Sequence, residues 1–337
     1  MSPRKPSVTA QDVARLAGVS RAVVSRALSS NGSISPDARA RVLRAAEELG
    51  YQVNFLAQGL NRQRSHLIGV IVSHISDPFR SALLDALLNE IQRQGFQALV
   101  SEIHSEQDLA HTLRRFTQFR VSGVIVTSGQ PPEALVNECV QQHIPVVGIN
   151  RQPTIPGVDY VCSDNVAGAE LAADQLLRSG CRRFGWLNHS PSTWAGRMRG
   201  EAFSRALQAR GVDVERNLAI LACPEEGYTG GFQAAALADE ALEGIFCANA
   251  QIACGFLDGM RQRGKQAPED YQLIGFDNTP PTAQYSYQLT TLHQDVAAIS
   301  RQALARLQER TVDPLQPSRT TWVEVTLIHR RTSPFII

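Results

Sequence analysis

Arg21, Ala22, Ser25 and Arg26 stand on one side of a short segment, Thr9-Ala10-Gln11-Asp12-Val13-Ala14-Arg15-Leu16-Ala17-Gly18-Val19-Ser20-Arg21-Ala22-Val23-Val24-Ser25-Arg26-Ala27-Leu28. Guanidinium and hydroxyl groups presented together suit a polyanion. The segment reads as two short helices folded across a tight turn. Thr9 and Ser20 can each cap a helix by accepting from the free N–H groups of its first turn. Thr9 and Asp12 are spaced close to a capping box, and Asp12 is favoured by the positive helix end. Val13, Leu16 and Ala17 give the first helix an apolar face, Gly18 can take the left-handed conformation that ends it, and Val19 fills the space between the helices. Val23, Val24 and Leu28 turn the second helix inward, leaving Arg21, Ala22, Ser25 and Arg26 outside. That is a helix-turn-helix, whose second helix enters the DNA major groove. The alternative is an ordinary helical hairpin on an enzyme surface. Two caps, a turn glycine and an outward basic face agree on the first reading.

Charge supports the same division. Net charge over 337 residues is +1, yet up to Arg64 ten basic residues face four acidic ones, putting +6 on that end and leaving −5 on the rest. A basic end on an acidic body fits a nucleic-acid partner for that end alone, with a solvated basic arm as the alternative. At 43% hydrophobic and 19% charged residues, the composition is that of a soluble globular chain. The six cysteines form no CxxC pair, so buried free thiols in a reducing cytoplasm are expected rather than zinc. No signal-peptide run and no membrane-length apolar stretch is present, which disfavours a secreted binding protein and a membrane partner and implies a cytoplasmic location. No glycine-rich dinucleotide loop, Walker loop, nucleophile elbow or metal-spaced His/Cys cluster occurs, so no catalytic residue, metal or cofactor is assigned.

The elements that position these residues follow in order. A third helix starts at the cap Ser35 with Pro36 and Asp37 in its first turn, runs through Ala38, Val42, Leu43, Ala46 and Leu49, and stops at Gly50. Residues 1-53 then form a headpiece. Residues 54-65 hold a short helix capped by Asn54 and containing Leu56, Ala57 and Leu60, followed by a polar linker. From Leu67 the pattern becomes alternating strands and helices: Leu67–Val72, Ala98–Ser101, Gly123–Thr127 and Pro145–Ile149, then a crossing strand Asp159–Ser163. A second round holds Phe184–Leu187, Leu218–Leu221, Gly244–Cys247 and Gln272–Phe276. Leu289–Leu292 crosses back, a helix Val296–Glu309 rejoins the first lobe, and a terminal strand lies near Trp322–Ile328. The fold class is an all-α helix-turn-helix module plus an α/β body, 66-337, of two doubly wound lobes. Lobe one covers about 66-162 and 294-321, lobe two about 163-290 and 322-337, with a cleft between them that can hinge.

Asp12-Val13-Ala14, Ala17-Gly18-Val19-Ser20, Val24-Ser25-Arg26, Gly50-Tyr51 and Asn54, with Leu67-Ile68-Gly69-Val70, Ile144-Pro145-Val146-Val147 and Gly275-Phe276-Asp277 in the body, make the chain resemble the lactose-repressor/galactose-repressor family of bacterial transcription regulators over essentially its whole length. The resemblance implies a periplasmic-binding-protein-like type I body and a homodimer on a near-palindromic double-stranded DNA operator. It also implies repression set by a small-molecule effector, a sugar or sugar derivative. It puts Arg21 and Ala22 at base-reading positions, where Arg21 can grip a guanine edge and the Ala22 methyl can touch a thymine methyl. Thr9, Ser20, Ser25 and Arg26 become phosphate or sugar anchors, Arg26 also reaching a base, with a small packing role as the alternative for Ser25. Leu60, on one short helix with Asn54 and Ala57, matches the family's minor-groove wedge, with packing of the linker helices as its alternative. Val53, where the family usually has Pro, and Gly59 both loosen that helix.

For the cleft the resemblance implies contacts from Ser73, His74, Asp77 and Phe79 in the first lobe, from Asn150 after the fourth strand, and from Trp194, Arg197, Asn249 and Asp277 in the second. Arg197 leads, since a planar guanidinium can clamp hydroxyls or a carboxylate. Phe79 and Trp194 can stack on a sugar face, with core packing as the alternative; for Asp77 the alternative is a helix cap ahead of Pro78. Ala250 after Asn249, and Asn278 after Asp277, stand where the family often has Asp. With Arg197, Arg151 and His74, this leans toward an anionic ligand such as a sugar acid or sugar phosphate. A dimer interface near residues 70–120 would pass the lobe angle on to the DNA-binding end. The family's tetramer-forming leucine-heptad helix is not matched at Thr332–Ile337.

Overall fold

The computed structural model describes residues 8–28, 34–52, 65–127, 133–189 and 192–333. The chain divides into two compact units, Met1–Ser65 and His66–Ile337. Asn54, Ala57 and Leu60, with Val53 and Gly59, lie outside the described residues.

In the first unit, helices α1 (Ala10–Ala17), α2 (Arg21–Ala27) and α3 (Pro36–Glu48) close around Val13, Ala14, Ala17, Val24, Ala27, Val42, Ala45 and Ala46. Small residues let three short helices approach closely, and Val19, Leu28, Leu49 and Tyr51 seal the edges. Leu16 and Leu43, expected inside, are about half exposed, at 47% and 49%. Ala14 and Ala45 take the inward positions instead.

In the second unit, β1 (Leu67–Val72), α4 (Pro78–Arg93), β2 (Gln97–Glu102), α5 (Glu106–Gln118), β3 (Gly123–Val126), α6 (Glu133–Gln141), β4 (Val146–Ile149) and β5 (Val158–Ser163) come first. After them run α7 (Asn165–Arg178), β6 (Phe184–His189), α8 (Trp194–Ala209), α9 (Val214–Asn217), β7 (Leu218–Cys223), α10 (Gly227–Ala235), β8 (Gly244–Cys247), α11 (Ala250–Gln262) and β9 (Gln272–Asp277). The last elements are α12 (Pro280–Ala283), β10 (Thr290–Gln294), α13 (Val296–Val312), β11 (Thr320–Val323) and β12 (Val325–Ile328). One six-stranded sheet has the order β11-β5-β4-β3-β1-β2 and the other β12-β10-β9-β8-β6-β7. Strands β1, β3 and β4 are apolar throughout because helices cover both faces. All neighbours run parallel except β12, antiparallel to β10.

The expected single terminal strand near 322–328 is two strands in different sheets, broken at Glu324. The chain therefore passes between lobes after β5, after β10 and between β11 and β12. Of Leu289–Leu292, read as crossing back, Thr290 to Leu292 belong to β10, a full member of the second sheet, and the crossing comes after Gln294. Helix α13 packs Ile299, Ala303, Leu304 and Leu307 into the first lobe's core. A buried Arg310–Asp159 pair, with N–O distances of 2.7 and 2.8 Å, ties the far end of α13 to β5. Among the described residues no helix is long and apolar enough to cross a membrane.

Candidate functional site

The headpiece presents one prepared surface. The Thr9 hydroxyl oxygen accepts from the Asp12 N–H at 3.4 Å while the Asp12 carboxylate accepts from the Thr9 N–H at 3.0 Å, a reciprocal capping box. The Thr9 hydroxyl also donates to Asp12, which is why that carboxyl sits below the usual range. Gly18 ends α1 with φ 65°, and the Val19 N–H returns to the Ala14 carbonyl at 3.0 Å. Ser20 caps α2 by accepting from the Val23 N–H. Val24 and Ala27 face the core, so Arg21, Ala22, Ser25 and Arg26 are all exposed, as are Thr9 and Ser20. Exposure of Ser25 removes its alternative role as an interior packing residue. Arg26 leans back along the helix, its Nε 3.4 Å from the Ala22 carbonyl.

In the body, two connected cavities of about 340 and 140 Å³ share Asp77, Arg80, Thr193, Arg199 and Asn249. The larger, outer one adds His74, Asn188, His189, Glu226 and Tyr228. The inner one adds Phe79, Thr127, Asn150, Arg151, Asp277 and Gln294. These residues sit at the C-terminal ends of β1, β3, β4, β6, β8, β9 and β10, where parallel sheets leave backbone and side chains open to ligands. Backbone strain concentrates there: His74, Asn150, Asp277 and Asn278 all have positive φ, at 48°, 51°, 88° and 53°.

Of the sequence-assigned cleft residues, His74, Asp77, Phe79, Asn150, Asn249 and Asp277 line these cavities, and three do not. Ser73 lies behind the wall, its carbonyl and hydroxyl oxygens accepting from Arg80 Nη1 at 3.3 and 3.1 Å. Trp194 packs against Trp322, with ring centroids 6.4 Å apart, so its core-packing alternative is the one observed. Arg197 is exposed and lines an outer groove with Trp186, Glu201 and Arg205, which adjoins the larger cavity at Asn188 and Ser192. The inward guanidinium of α8 is Arg199. Ala195, Arg199, Ala202, Phe203 and Ala206 make the buried stripe of that helix, and Arg197, two residues away, points roughly 200° round from it. That apolar spacing was readable in the sequence.

Arg199 is held from four sides. Its Nε donates to Asn165 Oδ1 at 2.7 Å, its Nη1 donates to the Ala248 carbonyl at 2.6 Å, and its Cζ lies 3.5 Å from the Phe276 ring centre. Asp277 Oδ1 is 3.8 Å from Nη1. Burial pushes the Asp277 carboxyl up to about 6, against the pull of Arg199. Burial likewise brings the Arg199 guanidinium down to about 10. Gln294, also missed in the sequence, joins the lobes: Nε2 donates to Asp277 Oδ1 at 2.6 Å, while Oε1 accepts from the Ser163 hydroxyl at 2.5 Å and from Asn150 Nδ2 at 3.3 Å. Nothing marked Gln294 beyond its place after a strand. Two assigned carboxamide and carboxylate groups are partly committed to structure: Asp77 caps α4 through Phe79 and Arg80, and Asn249 caps α11 through Ile252. Ala250, with no side-chain acceptor, gives its N–H to Asp277 Oδ2 at 3.4 Å. The cleft thus offers amides, the three carboxylates of Asp77, Glu226 and Asp277, and guanidinium groups, a set that grips hydroxyls and small acids. Among the described residues no group of three or more His, Cys, Asp or Glu could hold a metal ion.

A helix-turn-helix unit and a two-lobed body with a polar cleft define a class: DNA-binding regulators that carry a ligand-binding body. Residues 9–54 match the family model for bacterial regulatory proteins of the lacI family, and 173–333 match a periplasmic binding protein-like domain. The transcriptional regulator GalS of Salmonella typhimurium is 31% identical over 96% of each chain. GalR of Escherichia coli is 30% identical over 96% of this chain and 95% of its own. The lac repressor dimer bound to operator and the anti-inducer ONPF shares the fold, with TM-score 0.83 at 23% identity over 98% of this chain and 100% of that one. A lacI-family regulator from Enterococcus faecium with bound ribose has TM-score 0.72 at 26% identity, covering 80% of this chain and all of its own. The chain belongs to the lacI family of bacterial transcriptional regulators.

Proposed function

We propose that the protein is a repressor that acts as a homodimer on a near-palindromic operator in the bacterial cytoplasm and nucleoid, and that a small polar metabolite in the cleft sets its operator affinity without being turned over. The observation that carries this reading is the pairing of two features: an exposed Arg21–Arg26 face on a doubly capped helix pair, and a strained, polar cleft at the strand ends of both lobes. Arg21 and Ala22 read bases; Thr9, Ser20, Ser25 and Arg26 hold the backbone; Asn54, Ala57 and Leu60 belong to a minor-groove segment. Arg199, Asp277, Asn249, Asn150 and Gln294 hold the metabolite, with Phe79 beneath it. The operator-bound lac repressor dimer and the Enterococcus faecium regulator with bound ribose support both partners.

Ligand donors that engage Asp277 compete with Gln294, whose amide bridges the lobes. Binding thereby changes the lobe angle that a homodimer passes to its headpieces. The test is selection from a random duplex pool by the full chain, followed by mobility shift. A near-palindromic consensus is expected, and no enrichment at low salt would overturn the reading.

A further inference from the structure

We propose that the inner chamber of the cleft is an anion subsite, so that the regulating metabolite carries a carboxylate or phosphate seated between Arg80 and Arg151. The inference rests on the functional reading above and names its ligand class. The chamber is lined by three arginines, Arg80, Arg151 and Arg199, against two carboxylates, Asp77 and Asp277. Asp277 is the partner of Arg199. One oxygen of Asp77 is committed to the start of α4. Among the described residues neither Arg80 nor Arg151 is in an ion pair.

Both cations are nevertheless pinned. Arg80 Nη1 donates to the Ser73 carbonyl and hydroxyl oxygens and lies 2.8 Å from His74 Nδ1. Arg151 Nη2 donates to the Thr127 carbonyl, while its buried Nε has no hydrogen-bond partner. Burial, then the like charge of Arg80, brings the Arg151 guanidinium down to about 10, which leaves it charged at neutral pH.

Two neighbouring cations in a confined space are costly unless an acceptor-rich anion joins them. At about 140 Å³ the chamber holds roughly four or five waters' volume, the bulk of one small acidic group. The outer chamber sets Arg80 and Arg199 against Asp77 and Glu226, and with Asn188, Asn249 and Tyr228 on its wall it suits a hydroxylated remainder.

The full chain and its Arg80→Gln, Arg151→Gln, Arg151→Lys and Arg197→Gln variants would be melted at constant ionic strength. The probes are chloride, inorganic phosphate, D-gluconate, glucose 6-phosphate and D-glucose. Melting in chloride reports that each variant folds. Phosphate, or one of the two acidic sugars, is expected to raise the melting temperature of the wild type and of Arg197→Gln above that in chloride or glucose. Gluconate against glucose 6-phosphate separates a carboxylate ligand from a phosphate. Arg80→Gln and Arg151→Gln should each weaken that binding roughly ten- to a hundredfold, with Arg151→Lys retaining most of it.

Anions no better than chloride, glucose stronger than both acids, or unchanged binding in the two glutamine variants would overturn the proposal. A neutral sugar that shifts operator affinity while no anion binds would sink this subsite and leave the functional reading intact. Anion binding through Arg80 and Arg151 with no effect on operator affinity would do the reverse.

Discussion

Replacing Arg199 with Met tests the electrostatics of the cleft. The folded carboxyl of Asp277 titrates near 6, against 3.8 ordinarily, chiefly because it is buried. The folded state therefore holds that proton more tightly than the unfolded chain, and stability falls as pH rises through the window from about 4 to 6. The shift amounts to roughly 3 kcal/mol, a cost that is full at pH 7 and absent below the unfolded value. Arg199 opposes it most, ahead of the Ala250 N–H and the Gln294 amide, so Arg199→Met carries the Asp277 value above 6 and extends the window upward. At pH 7, breaking the buried pair should cost about 3–5 kcal/mol. At pH 5 Asp277 is protonated in both proteins, and the loss shrinks to the acceptors abandoned at Asn165 and Ala248, about 1–3 kcal/mol. The assay is urea unfolding of the full chain at both pH values, followed by tryptophan fluorescence. All three tryptophans, Trp186, Trp194 and Trp322, lie in the body, so the signal reports that unit alone. Every other titrating group cancels in the difference between variant and wild type. In Arg199→Met/Asp277→Asn the excess loss at pH 7 should vanish. A destabilisation equal at pH 5 and pH 7, or no recovery in the double variant, would refute the reasoning.

Three further outcomes follow from the geometry. Arg21→Ala should leave the headpiece folded and flatten base preference at one base pair per half-site by about 1–3 kcal/mol, measured by competition with singly substituted duplexes. Gly18→Ala meets open space but must hold φ 65°, so it should destabilise the headpiece by about 1–2 kcal/mol in thermal melts followed by circular dichroism, with the body's fluorescence transition unmoved. In Gly255→Ala the added Cβ would lie 1.9 Å from the Tyr228 carbonyl, where α10 and α11 press together; a loss of about 3 kcal/mol or more in urea unfolding of the body is expected.

Local signals made the headpiece readable. Thr9, Gly18, Ser20, Ser35 and Pro36 each do at a helix end what their chemistry dictates, and only Leu16 and Leu43 departed from their helical faces. In a module cored by alanines, Leu16 beside Ala17 and Leu43 beside Val42 stand about 100° off the buried stripe and are left outside. The body's strands were equally legible because burial on both faces makes them continuous apolar runs. The division of 320–328 into β11 and β12 was not, since Thr320 to Ile328 reads as one β-prone run and only tertiary pairing breaks it at Glu324.

The cleft was half legible. Residues at strand ends, such as Asn150, Asn249 and Asp277, follow from topology. Arg80 and Arg199 sit on helices, where the face is decided by the stripe of small apolar residues and not by proximity in sequence to a matched motif. Arg197 was assigned through the family resemblance and its guanidinium chemistry, and the helix turns it outward. Gln294 and Trp194 show the other limit: whether a polar or aromatic side chain bridges two lobes depends on partners more than a hundred residues away.

The central claim is that the cleft and the DNA-reading face are coupled. The most direct measurement is the affinity of the full chain for its selected duplex, by fluorescence anisotropy, with and without a compound that raises the body's melting temperature. The account predicts a change of roughly 5- to 150-fold in the wild type and none in Arg199→Met. Equal affinity in the presence and absence of saturating ligand would contradict it.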